Sequence, residues 1–459
     1  MLKRTDTPRP RPAGPTGGLP YLGDAFKVRR DPLRYFGNSL RTYGDIVRFK
    51  FANLEYFLLN SPELIKHVLL DKARNYVKGP SAKTLKYVLG EGLITNDGDS
   101  WLRQRKLAQP AFHRDRLAEF ARRMTEATEE MFTRWAAVLA RGPLDMQEEM
   151  FRVTLDIVGR TLLSQRLDSH SDGVGKAMAA IVRLAEYAGS PIAPPKWVPT
   201  PANLRFKRAK QVTEGIVNRV IAERRAANAK AAPGEAGTRD LLGMLMDARD
   251  DETNETMTDL QLRDEVWTMI MAGHETTANA LSWALYLLAK HPEAARKVDA
   301  EVAAVLGARV PEFDDLAKLP YTLAVIKESM RLYPPIWGLE RQTAADDVIG
   351  GYPISKGTLI LIFPYLVHRN QAIWEDPEAF KPERFLSGTE RSRFAYLPFG
   401  AGPRICIGNA FATMEAQIVL AMIVQRHRFA LAPDARIEFE QVLTLRPRYG
   451  MPMIVAPRV

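Results

Sequence analysis

Between Thr258 and Lys290 the chain reads "TDLQLRDEVWTMIMAGHETTANALSWALYLLAK", one unbroken helical pattern. At 1.5 Å per residue that is a rod of roughly 50 Å. A helix so long and so apolar has to cross the middle of the protein, so the rest of the fold is arranged around it. From residue 114 to about 333 helical periodicity dominates. The stretches "AAPGEAGTRD" (231–240) and "DARDDETNETMTD" (247–259) read as a flexible loop and an acidic one.

Strands are few. Residues 45–60, "DIVRFKFANLEYFLLN", alternate around a polar break at Ala52 and Asn53 and predict a hairpin. A second strand region spans 343–363, with Gly350-Gly351 as its turn, and a last hairpin is expected near Tyr449-Gly450. A further helix is expected from about Gly408 to Gln425. No repeat, low-complexity tract or separating linker interrupts the chain. The fold class is mainly α with a minor β portion, in a single domain over 1–459 whose first 25 or so residues form a proline-rich lead.

A chain of 459 residues, 46% hydrophobic, can bury a large core. One cysteine excludes an internal disulfide, a four-thiolate zinc site and an iron–sulfur cluster, and fits a cytoplasmic location. The N-terminal "MLKRTDTPRPRPAGPTGGLPYLGD" lacks the apolar run of a signal peptide or anchor, and "QIVLAMIV" (417–424) is too short to span a bilayer, so no membrane span is expected. The net charge of +10 admits nucleic acid, an anionic surface or an acidic protein as partner. Basic residues are spread along the chain and no nucleic-acid motif occurs, which favours an acidic protein.

The single thiol lies in "PFGAGPRICIGNA", 398–410. A buried structural cysteine needs no glycine-rich setting. Glycines let a backbone approach something closely, and a thiol entering a helix has a lowered pKa, so Cys406 reads as a nucleophile or a metal ligand. Two other patterns fail on inspection. "GAGPRI" (400–405) has Ile405 where a dinucleotide fingerprint needs its third glycine, and "HETTA" (274–278) has Ala278 where a zinc-protease helix needs its second histidine.

Phe399, Gly400, Gly402, Arg404, Cys406 and Gly408 stand in the order of one specific signature. The loop resembles the haem-binding loop of the cytochromes P-450, the haem-thiolate monooxygenases, and the resemblance extends over nearly the whole chain. It implies the cytochrome P-450 fold, with Cys406 as the axial ligand of haem b (iron protoporphyrin IX) and dioxygen as co-substrate. A thiolate donates electron density that favours O–O cleavage. Backbone amides near the sulfur and the positive end of the following helix support it.

The resemblance also assigns roles elsewhere. "AGHETT" (272–277) is similar to the oxygen-activation motif: Ala272 and Gly273 leave room for a ligand on iron, and Glu275 and Thr276 are the acid and alcohol that relay protons. His274 is left to packing or the surface. Arg404 and Arg341, with Trp101 and Arg105 four residues apart on one helical face, are the expected propionate contacts. Glu328 and Arg331 in "KESMR", joined by Arg384 in "PERF", are expected to form a structural network. His113 and His368 resemble framework histidines. Ile94, Ile336 and Leu443 are expected to border the reacting carbon together with Ala272.

The implied activity is insertion of one oxygen atom into a lipophilic small molecule by a soluble, monomeric haem domain of bacterial type. Electrons would come from NAD(P)H through a separate ferredoxin or flavodoxin with its reductase. Arg103, Lys106, Arg391 and Arg393 are candidates for a positive docking surface. A peroxide-using peroxygenase or rearrangement enzyme is the alternative, and a haem-binding sensor without turnover a more distant one.

Overall fold

The computed structural model describes residues 11–16, 25–51, 54–167, 197–230, 240–250, 253–388 and 391–458. Most of the proline-rich lead, the loop at 231–239, residues 251 and 252 of the acidic loop, and Ala52 and Asn53 of the first hairpin lie outside the described residues. Backbone contacts divide the chain into two compact units. One is built from Met1–Ser81, Ile336–Ala379 and Thr389–Cys406, the other from Ala82–Pro335, Phe380–Gly388 and Ile407–Val459.

The first unit carries a five-stranded sheet. Ile46–Phe51 pairs antiparallel with Leu54–Leu59, Ile46 facing Leu59. Leu54–Leu59 runs parallel to Leu359–Ile362, which pairs antiparallel with Leu339–Thr343, and Tyr76–Lys78 closes the edge. Alternation buries Val47 and Phe49 while their neighbours stay partly exposed. Phe49 and Phe363 each meet Phe36 at 5.0 Å, edge to face, the arrangement ring quadrupoles favour. The expected turn at Gly350-Gly351 joins the short strands Asp347–Ile349 and Tyr352–Ile354. Both glycines have positive φ, 57° and 84°, as a primed hairpin turn demands.

The second unit is built on the long helix, Asp259–Lys290. Thr258 opens it with a reciprocal cap: its hydroxyl accepts from the Gln261 N–H at 3.2 Å and the Gln261 side chain accepts from the Thr258 N–H at 3.0 Å. Helix Met146–Leu163 packs along its length, and Pro320–Leu332 and Asn409–Arg426 pack beside it. At Gly273 the helix lies close against Met146–Leu163: a Cβ there would stand 3.1 Å from the Val158 side chain.

The chain end differs from expectation. The hairpin pairs Phe439–Gln441 with Leu445–Pro447, so its tip lies at 442–444 and not at Tyr449-Gly450. Pro452–Pro457 leaves that hairpin and pairs with His427–Leu431 and Leu144–Asp145. Gly450 is a turn residue at φ 75°, pressed against Asp145, which explains why the sequence suggested a hairpin there.

Candidate functional site

The thiol loop belongs to the first unit. A short 3-10 turn, Gly402–Arg404, follows an extended Ala401, and the Cys406 N–H returns to the Phe399 carbonyl at 2.9 Å, closing the loop on itself. Gly400 and Gly402 both have positive φ, 68° and 71°, where a Cβ is strained. At Gly402 it would also stand 1.8 Å from the Leu69 carbonyl oxygen, so only glycine fits. At Gly400 it would meet nothing within 4 Å, so the loop keeps an open side there. The Cys406 thiol is exposed.

Gly408 caps the helix Asn409–Arg426 that begins three residues beyond the thiol. The helix start adds partial positive charge near a thiolate. Among the described residues no group of three or more His, Cys, Asp or Glu side chains could hold a metal ion. A porphyrin would supply nitrogen ligands to an iron held by the Cys406 thiolate. The residues present fit a haem-thiolate group. Arg404 lies in the same loop, and Arg341 is buried in the strand Leu339–Thr343 with its guanidinium donating to the Glu340 carbonyl at 2.8 Å.

In the second unit, Ala272 to Thr277 occupy the middle of the long helix. The Thr276 hydroxyl donates to the Ala272 carbonyl at 2.7 Å, which leaves its oxygen able to accept. Glu275 points elsewhere: Thr444 at the hairpin tip donates to its carboxyl at 2.7 Å, and all but 3% of Glu275 is buried. Asn279, one turn on, donates to the same Thr444 hydroxyl at 3.1 Å. His274 is a packing residue. Its Nδ1 lies 2.9 Å from the Ile270 carbonyl, its ring meets Phe151 edge to face, and burial pulls its pKa below the usual imidazole value. The bare face of Gly273 is taken by Val158, so its lack of bulk serves helix packing.

Trp101 and Arg105 lie on the helix Gly98–Ala108 of this unit, which Asp97 caps. Trp101, Ile94 and Leu443 pack against the apolar cluster that holds Met269, Ile270 and Met271 of the long helix. Ile336 belongs to the first unit, where it is half-buried. The Glu328, Arg331 and Arg384 network is present within the second unit. His368, in the first unit, is fully buried and accepts from the Leu397 N–H at 2.7 Å. Of the candidates for a docking surface, Arg103 pairs with Asp250 at 3.3 Å and Glu255 at 3.1 Å, so the acidic loop neutralises it. Arg391 lies over the Trp374 ring at 4.9 Å, and Arg393 is exposed.

Two further acids escaped sequence reasoning. Glu265 shares a helical face with Ala272 and Thr276, at intervals of seven and eleven residues. It accepts from the Leu93 N–H at 3.2 Å, while Asp264 beside it accepts from the Glu91 N–H at 2.8 Å. Burial pushes the Glu265 carboxyl up to about 8, against the pull of the Leu93 N–H, and the Asp264 charge adds to the rise. Glu415, on the helix after the thiol, is fully buried and held well above the usual carboxylate range by desolvation. The Thr277 hydroxyl pulls the other way, yet neither Glu415 oxygen makes a hydrogen bond of normal geometry. Each is an acid inside an otherwise apolar helical stripe, which is the signal that could have found it.

The first unit thus carries a self-closed thiol loop ahead of a helix, and the second an acid and an alcohol at the centre of its long helix, the two features a haem-thiolate oxygenase requires. The family model for cytochrome P450 matches residues 12–452, and the chain belongs to that family; it is a monooxygenase of the P450 type. It is similar to cyclooctatin synthase of Streptomyces melanosporofaciens, 37% identical over 96% of this chain and 93% of the relative. The cyclooctat-9-en-7-ol 5-monooxygenase of the same organism is 34% identical over 96% of this chain and 94% of its own length. The chloroplastic protein LUTEIN DEFICIENT 5 of Arabidopsis thaliana is 35% identical over 91% of this chain and 73% of its length.

Proposed function

We propose that this P450 inserts one oxygen atom into a lipophilic small molecule, with Cys406 as axial ligand of haem b and Glu275 and Thr276 handling the protons. The observation that carries the reading is the pair of proton-bearing groups on the long helix, where half-buried Thr276 is back-bonded to Ala272 and buried Glu275 is held by Thr444. Haem bound by Cys406 supplies an iron that activates dioxygen, with thiolate donation favouring O–O cleavage. Arg341 and Arg404 of the first unit, and Trp101 and Arg105 of the second, are the residues proposed to hold its propionates by charge-assisted bonds.

The residues expected around the substrate, Ile94, Ala272, Ile336 and Leu443, offer no charge, which supports an apolar molecule. One relative is named for acting on an alcohol, cyclooctat-9-en-7-ol, in keeping with a mainly hydrocarbon substrate. Among the described residues no helix is long and apolar enough to cross a membrane. The proposal includes a monomer working in the cytoplasm, reduced from NAD(P)H through a ferredoxin or flavodoxin and its reductase. The net charge of +10 suits an acidic partner. Exposed charges are screened beyond about 8 Å at physiological salt, so the reduction rate should fall as ionic strength rises.

The decisive test is the reduced, carbon-monoxide-bound spectrum, followed by turnover with isotopically labelled dioxygen and a surrogate ferredoxin system. A red-shifted Soret band that Cys406→Ala abolishes, and label in the product, are expected. A thiolate-type spectrum persisting in Cys406→Ala would overturn the ligand assignment. Product formed only from added peroxide would favour the peroxygenase reading.

A further inference from the structure

Glu275, Asn279 and Trp283 recur every fourth residue on one face of the long helix, and all three are buried. Each bonds the hairpin Phe439–Gln441/Leu445–Pro447 at or next to its tip. The Trp283 ring N–H donates to the Leu445 carbonyl at 3.1 Å, and the Leu445 N–H donates to the Pro335 carbonyl at 2.9 Å. These bonds fix the backbone beside Thr444, so its side chain is held in place and not carried on a mobile loop. Thr444 then gives its single hydroxyl proton to Glu275, at 2.7 Å, and accepts from the Asn279 amide, at 3.1 Å.

One atom in this cluster is left over. The Asn279 amide oxygen is buried without a partner among the described residues. An unsatisfied buried acceptor is costly and calls for an explanation. We propose that Thr444 and Asn279 are positioning residues that keep the Glu275 carboxyl hydrogen-bonded in both its ionised and its protonated state. With Glu275 ionised, the chain of donors runs from the Asn279 amide to Thr444 to the carboxylate, as the structure shows. With Glu275 protonated, the acid donates to Thr444, whose hydroxyl turns to the Asn279 oxygen once the amide rotates by half a turn. The leftover acceptor is the partner for that second arrangement. Asn and Thr are suited to this because each can present either a donor or an acceptor. Glu275 can thus take up and release a proton while its own carboxyl stays hydrogen-bonded to Thr444 at either stage.

The inference rests on the reading of Glu275 as a proton-handling group, and the test separates the two. The infrared band that Glu275→Gln removes identifies the carboxyl. Thr444→Val keeps the shape and loses the hydroxyl, so that band should move. Thr444→Ser should leave it near the parent position. In reconstituted turnover, Thr444→Val should shift the partition of reducing equivalents from product to peroxide by about fivefold, the scale of one lost neutral hydrogen bond, and Thr444→Ser should restore it. The solvent deuterium isotope effect should rise in Thr444→Val only. Should that variant fail to fold, Asn279→Leu removes both amide bonds to Thr444 while leaving its hydroxyl on Glu275, and should move the band and raise the isotope effect in the same directions. An unmoved band with parental partition, or a serine variant as impaired as the valine one, would overturn the assignment of Thr444 and Asn279. Parental partition in Glu275→Gln would instead remove the reading of Glu275, and this inference with it.

Discussion

Arg331 grips the Glu328 carboxylate with two parallel bonds, 2.7 Å and 2.9 Å, and both side chains are fully buried. The Lys381 N–H adds a third bond at 2.9 Å and Arg384 approaches the same oxygen at 3.4 Å. Glu328 is therefore the node at which the helix Pro320–Leu332 meets the 3-10 turn Pro382–Phe385. A bidentate fork suits arginine and not lysine. Arg331→Leu strands a buried charge and should destabilise the fold by about 3 to 5 kcal/mol, with Arg331→Lys only partly sparing it. Urea unfolding of the purified proteins measures this, and a midpoint equal to the parent's would mean the pair is dispensable.

Thr276→Ala removes the hydroxyl that bonds the Ala272 carbonyl but leaves the thiol loop untouched. Haem content and the thiolate spectrum should match the parent. Hydrogen peroxide formed per NAD(P)H consumed should rise about tenfold or more, within the range a general acid contributes. An unchanged ratio would make Thr276 an ordinary helix residue.

Glu265 supplies a pH dependence with a definite sign. Its carboxyl titrates at about 8 in the folded protein against an ordinary value of 4.5, so the folded state holds the proton more tightly than the unfolded one. The stability this gives is complete below the ordinary value and is lost as pH rises through about 8. Glu265→Gln keeps a carbonyl to accept from the Leu93 N–H and has no proton to lose. Its melting temperature should gain on the parent's as pH rises across that window, by on the order of a few degrees. Parallel curves for variant and parent would show that Glu265 does not titrate there.

Local signals carried much of the fold. The long helix shows in sequence because its apolar pattern is continuous and Thr258 and Gln261 form a cap within four residues. The Gly350-Gly351 turn shows because two adjacent positive φ angles require that dipeptide. The thiol loop was readable because Gly402 answers to a steric demand at a fixed offset from Cys406. What could not be read is contact between distant segments. Nothing local joins Glu275 to Thr444, 169 residues away, or Arg103 to Asp250 and Glu255, so the carboxyl's hold and the loss of a docking charge emerged only from the fold. The hairpin tip was misplaced for a related reason: Gly450 has the backbone of a turn, and whether a turn joins paired strands depends on partners elsewhere in the chain.

Ile94 offers the sharpest test of the substrate region. It sits between Leu93, whose N–H is held by Glu265, and Thr95, whose hydroxyl donates to the Gly90 carbonyl at 2.6 Å. Asp264 ties the same loop at Glu91, and Gln104 donates to the Glu91 carbonyl at 2.9 Å. A side chain anchored on both flanks cannot swing aside when it is enlarged, so added bulk must be felt by whatever it faces. Ile94 is half-buried against the cluster containing Met269, Ile270 and Met271, on the helix that carries Ala272. Ile94→Phe should therefore redirect oxidation to a different carbon of an accepted substrate. Changes to apolar pockets alter discrimination by about 1 to 3 kcal/mol, enough to invert a product ratio. The thiolate spectrum and the melting temperature should stay near the parent's, because none of the anchoring bonds is made by the Ile94 side chain. Product ratios matching the parent's across several substrates would place Ile94 in the core and outside the pocket.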